Sequence, residues 1–465
     1  MTLPEAFLND IKSVLPAAEH DSFVDSLTNT DPSVSIRLNA AKFPSGTPVE
    51  SVIPAPGAQF SPVPWTSSGH YISQRPQFTL DPLLHAGAYY VQEASSMFIT
   101  HVLRTFVDTP VTAIDLCAAP GGKSTAALSV LPEGSILVSN EIDRKRSRIL
   151  AENIQKWGNP NVCVTGNAPA HFSKLREVFD VVIADVPCSG EGMFRKDEGS
   201  IAEWNPAKVH ECAALQRQIL RDIWPCLKPG GLLIYSTCTF NVHEDEEQLQ
   251  FICDELGASI LPIPTQPDWH IHPALCGDFA PGVRPESACR FMPHFTKGEG
   301  LFMAALRKNG SSSSSTPLRQ KPSRTPKELQ HLLSWIDVPA SIQVAADGTI
   351  RAIPDTLLPL YQALIDQRLF LLHAGIELGT QKGKDLIPAH ALALSTALRP
   401  DTFPTFDLDL DTALTYLRRD NIILPADTPR GYVLLTYRST PLGFVKNLGN
   451  RTNSLYPTEW RIRNL

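Results

Sequence analysis

A doubly wound α/β sheet flanked by a smaller unit on each side is the fold class that the sequence predicts, and three observations carry the prediction. From about residue 84 strand-like and helix-like patterns alternate. The strand-like runs "VVIAD" and "LLIYS" are apolar on both faces, as parallel strands covered by helices must be. The first strand of the series turns into its helix through "DLCAAPGGKST", and an acid, Glu141, ends the next strand about 20 residues downstream, the spacing of a nucleotide-binding βαβ unit.

In chain order, residues 1–83 form a small α+β unit, with helical "PEAFLNDIKSVL", extended "SVSIRLNA" and proline-rich turns around "VIPAPGAQFSPVPW". Residues 84–308 follow as the Rossmann-like domain. Its helices are "VQEASSMFITHVLRTF", "KSTAALSVL", "RKRSRILAENIQKW", "ECAALQRQILRDIWPCL" and "HEDEEQLQFICDEL". Between them lie the strands "VTAIDLC", "SILVSNE", "NVCVTG", "FDVVIADVP" and "GGLLIYSTC". The basic, Gly/Ser/Pro-rich "NGSSSSSTPLRQKPSRTPKE" is too poor in apolar residues to order itself, so 309–327 is expected to be a linker. The last unit, 328–465, starts helical and ends in "GYVLLTYR" and "PLGFVKNL", two strand-like runs around an "STP" turn.

Composition excludes several classes. With 43% apolar and 19% charged residues the chain is globular. It contains no apolar run of the roughly 18 residues that a membrane span needs. The start "MTLPEAFLND" lacks the basic and apolar regions of a signal peptide, so a cytoplasmic location is expected. Nine cysteines without a C-x-x-C pair and thirteen histidines without H-E-x-x-H suggest neither a disulfide framework nor a metal site. A net charge of −7 rules out a uniformly basic coat but leaves local basic patches open.

Gly121-Gly122-Lys123-Ser124-Thr125 looks like the end of a phosphate-cradling loop, but that loop needs G-x-x-x-x-G-K-[ST]. Cys117 stands where its first glycine belongs, and Pro120 stiffens the turn. The glycines still let backbone approach a ligand, and Glu141 is placed to accept ribose hydroxyls. The absence of G-x-G-x-x-G argues against NAD or FAD. A different nucleoside-containing cofactor is expected.

The fourth strand delivers "ADVPCSGEGMFRKD" and the fifth "YSTCTFNVHEDEE". If these strands are neighbours, about 4.8 Å apart, Cys188 and Cys238 emerge together on the ligand-binding rim. Cys163, Cys212, Cys226 and Cys253 lie in apolar or helical patterns and are expected to be small buried hydrophobes. A thiol, a neighbouring acid such as Asp185 and a ribose-bearing cofactor suit one chemistry in particular. A thiolate adding to C6 of a pyrimidine makes C5 nucleophilic toward an electrophilic methyl group, and a carboxyl group can stabilise charge on the ring as the adduct forms. A base must then remove the C5 proton before the thiol leaves. On these residues alone either cysteine could attack.

"DLCAAPGGKST", "DVPCSGEGMFRKD" and "YSTCTFNVHEDEE" closely resemble motifs of the S-adenosylmethionine-dependent RNA (cytosine-5) methyltransferases, the Sun/Fmu-like family. "SIRLN" and "YYVQEASSMF" resemble its upstream motifs, and "GFVKNLGNRTNSLYP" resembles the tail of the bacterial branch acting on small-subunit ribosomal RNA. The resemblance implies a class I methyltransferase fold with RNA-binding terminal units, the C-terminal one of PUA type. It implies Cys238 as nucleophile, Cys188 as the residue that assists product release, and Asp185 in contact with cofactor and target cytosine. S-adenosylmethionine would be held by Cys117, Ala118, Ala119, Pro120, Gly121, Gly122, Lys123, Glu141 and Asp185. Asn167 is the candidate beside the adenine, although "GNAP" stands here where relatives often read N-E-S-P. The implied product is 5-methylcytosine in 16S rRNA. Transfer RNA as substrate and a catalytically silent ribosome-assembly factor are the alternatives. A monomer without metal is expected.

A base inside a duplex is out of reach, so the target cytosine must be single-stranded or extruded. Arg430, Arg438, Lys446, Arg451, Arg461 and Arg463 make the end of the chain a basic island suited to RNA. Tyr432, Tyr437, Phe444 and Tyr456 among them could stack on bases or form core. Arg144, Lys145, Arg146 and Arg148 suit a solvated helix face, and Arg195 or Lys196 could touch substrate.

Overall fold

The computed structural model describes residues 2–44, 46–310, 318, 325–345, 347–383 and 385–463. Most of the segment expected as a linker, 309–327, lies outside the described residues. In the N-terminal part, β1 (Val34–Leu38), β2 (Phe60–Pro62), β3 (Gly69–Ile72) and β4 (Tyr89–Val91) form an antiparallel sheet in the order β2-β3-β1-β4. The fourth strand lies past the boundary expected at residue 83. The apolar β1 has two edges, and β4 covers the one that β3 leaves open.

Five parallel strands make the centre: β5 (Thr112–Asp115), β6 (Ile136–Asn140), β7 (Val162–Thr165), β8 (Phe179–Asp185) and β9 (Leu227–Thr237), in the order β9-β8-β5-β6-β7. Alternate residues feed two separate cores. Ile114, Val182 and Leu233 pack on one face, and Ala113, Val181, Ile183 and Ile234 on the other. Strand order reverses between β5 and β8, which opens a crevice at their carboxyl ends. After β9 come β10 (Ala258–Leu261), β11 (His272–Pro273), β12 (Cys289–Phe291) and β13 (Leu301–Lys308). β13 runs antiparallel along β9, with Ala304 opposite Tyr235.

The C-terminal part begins with a 3₁₀ segment, Lys327–Trp335, and then turns to strands. They are β14 (Ala340–Val344), β15 (Thr349–Pro354), β16 (Leu371–Ala374), β17 (Ile376–Lys382) and β18 (Asp385–Pro388). Four of them make a sheet, while β16 leaves it and pairs with β7. This covers the last open edge of the five-stranded parallel sheet, so the C-terminal part is joined to the central sheet by a hydrogen-bonded strand as well as by a covalent connection. A final sheet holds β19 (Thr405–Leu408), β20 (Gly431–Tyr437), β21 (Thr440–Asn447) and β22 (Thr452–Ser454). The turn between β20 and β21 sits on Arg438 and Ser439, both at positive φ. Tyr437, Phe444 and Tyr456 point into the core, so of the four aromatics only half-buried Tyr432 keeps a face outside it, with the Lys446 ammonium 5.4 Å from its ring centroid. Among the described residues no helix is long and apolar enough to cross a membrane.

Gly158 shows how closely the C-terminal part meets the core. It ends the helix Arg144–Trp157 at φ 83°, and a Cβ there would lie 2.2 Å from the Leu394 carbonyl oxygen. The Gly158 carbonyl accepts the Thr396 N–H at 2.9 Å. Gly158→Ala is therefore expected to destabilise the chain by more than about 1 kcal/mol. Urea unfolding with an unchanged midpoint would refute this reading of the contact.

Candidate active site

The crevice beside β5 holds a cavity of about 180 Å³. Its walls include Tyr90, Gln92 and Glu93 from the N-terminal part, Asp115, residues 117–120, Gly122, Lys123 and Asp185. Gly121 allows the chain to turn here at φ 115°, and its neighbours tie the loop down from outside. The Ala118 N–H donates to the Asn140 carbonyl (2.8 Å), Arg146 Nη2 to the Ala119 carbonyl (2.8 Å) and Asn153 Nδ2 to the Pro120 carbonyl (2.8 Å). Arg146 thus holds the loop, although it belongs to a run that otherwise faces solvent.

The likeness to a phosphate loop ends with the side chains. Lys123 Nζ lies 2.8 Å from Asp185 Oδ2. Burial opposes its charge, but Asp185 beside it prevails and raises its pKa. Ser124 Oγ donates inward to Asp115 Oδ2 at 2.6 Å, and Thr125 Oγ1 to the Gly121 carbonyl at 2.7 Å. The lysine and the Ser124 hydroxyl that a triphosphate and its magnesium would need are engaged elsewhere. Arg37, from "SIRLN", reaches the same helix by donating to Thr125 Oγ1 (2.6 Å) and Ser129 Oγ (3.0 Å).

Two acids keep a buried oxygen without a hydrogen bond. Asp115 is fully buried and its Oδ1 has no hydrogen bond; burial raises its pKa to about 7. Glu141 accepts the Asp143 N–H at Oε1 (3.0 Å), while buried Oε2 has no hydrogen bond and lies 3.3 Å from Arg146 Nη1. Asn167 is engaged differently from the expectation that it stands beside an adenine. Its Nδ2 donates to the Phe370 carbonyl (3.0 Å) and its Oδ1 accepts the Phe370 N–H (2.9 Å), an amide matched to a backbone just before β16. Neither Glu141 nor Asn167 lines the cavity.

β8 and β9 pair in parallel with Asp185 opposite Ser236, so the expected adjacency of the two cysteine loops holds. Cys188 Sγ and Cys238 Sγ lie 3.3 Å apart as free thiols. The hydrogen bond to Cys238, followed by burial, pushes the Cys188 thiol well up, so Cys188 carries its proton at neutral pH. Asp185 accepts from Ser236 Oγ at 2.7 Å and meets Lys123 with its other oxygen. Cys163 and Cys226 are buried, as expected of small hydrophobes, while Cys212 and Cys253 are only partly so.

A buried polar lattice behind the thiols escaped the reading of the sequence. Glu244 accepts from the Ser189 N–H (3.0 Å), Gln216 Nε2 (2.8 Å) and Asn241 Nδ2 (3.0 Å). Glu191 accepts from the Phe240 N–H (2.6 Å), Asn241 Nδ2 (2.9 Å) and Trp204 Nε1 (3.1 Å). The two carboxylates lace the Cys188 loop to the Cys238 loop, and burial raises the Glu191 pKa to about 7. Gly192 is needed for the close approach: its N–H donates to the Cys238 carbonyl (2.7 Å), and a Cβ would lie 2.9 Å from that oxygen.

Within the acidic run "HEDEE", Glu244, Asp245 and Glu246 are all fully buried. Arg290 answers two of them, 3.1 Å from Asp245 and 2.5 Å from Glu246. An arginine inside the apolar run "ACRFM" was the signal that a buried acid awaited it. Arg195, a candidate for substrate contact, is also engaged internally, by Glu299 (2.7 Å), the Gly298 carbonyl (2.6 Å) and Thr30 (2.8 Å). Lys196 beside it is exposed, its Nζ 3.8 Å from Glu299.

Asp115 has a consequence for stability. Its folded pKa, about 7, lies above the ordinary aspartate value of 3.8, so between these values the folded chain holds a proton that the unfolded chain has lost. Its contribution therefore weakens the fold as pH rises through that window. Asp115→Asn should remove this component. Urea unfolding of both proteins from pH 4 to 8 tests it, and parallel stability curves would exclude it.

Three family models match the chain. The model for 16S rRNA methyltransferase RsmB/F matches residues 108–307, that for the N-terminal domain of 16S rRNA methyltransferase RsmF residues 3–94, and that for the methyltransferase RsmF PUA domain residues 403–462. Ribosomal RNA small subunit methyltransferase F of Shewanella loihica is 30% identical over 482 aligned residues, covering 98% of this chain and 95% of the relative. The protein of the same description from Escherichia coli O139:H28 is 29% identical, with 98% and 96% covered. Among solved structures, a methyltransferase homolog protein from Pyrococcus horikoshii is 26% identical with a TM-score of 0.51, over 66% of this chain and 100% of that one. NSun6 from the same organism, 18% identical with a TM-score of 0.53 over 66% and 99% of the two chains, shares the fold. Coverage from end to end at this identity, with the motifs on their expected strands, places the chain in the ribosomal RNA small subunit methyltransferase F family.

Proposed function

We propose that the protein transfers a methyl group from S-adenosylmethionine to C5 of a cytosine in 16S rRNA. One observation carries the chemistry: two free thiols 3.3 Å apart at the ends of neighbouring parallel strands, one strand also delivering Asp185. The cofactor fits the donor set beside them. Asp115 Oδ1 and Glu141 Oε2 are buried acceptors without a hydrogen bond, suited to the ribose hydroxyls and amino group of a nucleoside amino acid. When bound, S-adenosylmethionine supplies the electrophilic methyl group.

The roles of the residues follow from their protons and partners. Cys238 attacks C6 of the cytosine as thiolate, which gives C5 enamine character. Asp185, held between Ser236 and Lys123, hydrogen-bonds the ring edge as charge builds there. Lys123 holds this carboxylate in place through their ion pair. After methyl transfer C5 still bears its original hydrogen; this leaves as a proton to a solvent base while the Cys238–C6 electron pair returns to sulfur, and the protonated Cys188 thiol, 3.3 Å away, assists release by donating a hydrogen bond to the departing sulfur. Gln92 and Glu93 belong both to the cofactor cavity and to a neighbouring cleft of about 590 Å³ that also includes Arg75 and Lys196. That cleft supports entry of an extruded base with its phosphates toward the two cations. The PUA-type unit, with its basic island, holds RNA beyond the site. We further propose a cytoplasmic monomer, with Asn167 docking the segment before β16.

Cys238→Ser should lower methyl transfer to 16S rRNA by at least about 10⁴-fold, the scale of losing a nucleophile. Cys188→Ser should accumulate a covalent protein–RNA adduct, seen as a shifted band on a denaturing gel. The reverse pattern would exchange the two roles, and no methyl incorporation by the wild-type protein would remove the enzymatic claim. Titration calorimetry should detect binding of S-adenosylmethionine and none of magnesium–ATP. Comparable ATP binding would restore the phosphate-loop reading.

A further inference from the structure

Sequence spacing suggested no metal site, but folding brings Glu19, His272 and His294 together at the seam between the N-terminal helices and the catalytic domain. One ligand atom from each lies within 4.8 Å of the others. Glu19 Oε2 is 3.1 Å from His294 Nε2 and 3.9 Å from His272 Nε2. Tetrahedral ligands at zinc distances stand about 3.4 Å apart, and the observed separations bracket that value. The rings are held in place by their surroundings. His294 is buried, with Phe23 (5.4 Å) and Phe295 (4.6 Å) edge-on to it, and Phe295 also packs on His272 at 4.5 Å. His272 and Glu19 remain about one quarter exposed, which leaves a path for an ion and a fourth, water ligand. Two imidazoles and one carboxylate are a donor set suited to zinc.

We propose that these three residues bind one zinc-class divalent cation, which latches the N-terminal helical arm to the catalytic domain. The site lies outside the methyl-transfer machinery, yet the arm it would fix rests on that machinery. Phe23 packs on Phe240 (5.1 Å), two residues beyond Cys238, and Phe7 packs on Phe194 (5.0 Å), in the segment after Cys188. A cation joining Glu19 to His272 and His294 crosslinks the start of the helix that carries Phe23 to the strand region opposite it. The latch therefore stiffens the apolar floor under both cysteine loops without touching substrate.

The test uses the full-length protein, stripped with chelator, incubated with zinc chloride alone, and freed of unbound metal by gel filtration. Elemental analysis should find about one equivalent retained, as a built three-residue site requires. Cobalt(II) in its place should give the visible absorption of a four-coordinate ion. His272→Ala and Glu19→Gln, both at partly exposed positions, should each weaken binding more than about tenfold. Zinc should raise the melting temperature of the wild-type protein but not of these variants. Cys188→Ser/Cys238→Ser should retain the metal. Three results would each overturn the proposal: no metal retained, equal retention by His272→Ala, or loss of the metal in the double cysteine variant. The first would reduce the cluster to a Glu–His hydrogen bond, and the last would move the metal to the thiols.

Discussion

Parallel pairing of β8 with β9, Asp185 opposite Ser236, is the constraint on which the site depends. Backbone hydrogen bonds set neighbouring strands about 4.8 Å apart, and that spacing alone brings two cysteine loops, fifty residues apart in sequence, to one rim. A slip of one residue would turn Asp185 and Ser236 to the opposite face and take the carboxylate away from Lys123. The antiparallel β13 on the far edge of β9 makes such a slip costly, because it holds β9 in register from its other side through the pairs from Leu232 to Thr237.

Register brings the thiols near each other but does not hold loops still. That task falls to buried carboxylates, whose oxygens accept several N–H groups at once, so Glu191 and Glu244 each join segments that the backbone ladder leaves free. Burying so much negative charge is costly unless it is paired or protonated. Arg290 pairs two members of the group, while the raised Glu191 pKa shows another lowering that cost by taking up a proton more readily. The N-terminal arm and the β16 strand then close the assembly from opposite ends. One packs on the cysteine loops and the other completes the central sheet.

Much of this was legible in the chain. Strands apolar on both faces announced a covered parallel sheet, and alternation of the two patterns placed each of its five strands. The turn at "DLCAAPGG", the acid after the second strand and the two cysteine motifs located the site, because these features depend on neighbours a few residues away. The backbone partner of Asn167 was not legible because its setting is not local. Only the arrival of Phe370 from two hundred residues downstream gives its amide a backbone partner. The internal acceptors of Arg195 were hidden for a similar reason, coming from Glu299, the Gly298 carbonyl and the Ser26 carbonyl.

Sequence by itself determined the fold class and the family and pointed to candidate reacting groups, since periodicity, glycine turns and motif residues are properties of short windows. Tertiary structure decided which groups those residues meet. It set the 3.3 Å between the thiols, turned the apparent phosphate-loop lysine toward Asp185, buried the acids of "HEDEE" against Arg290, and gathered Glu19, His272 and His294. Each of these depends on electrostatic and packing partners far away in the chain, and an isolated window carries no record of what will be folded against it.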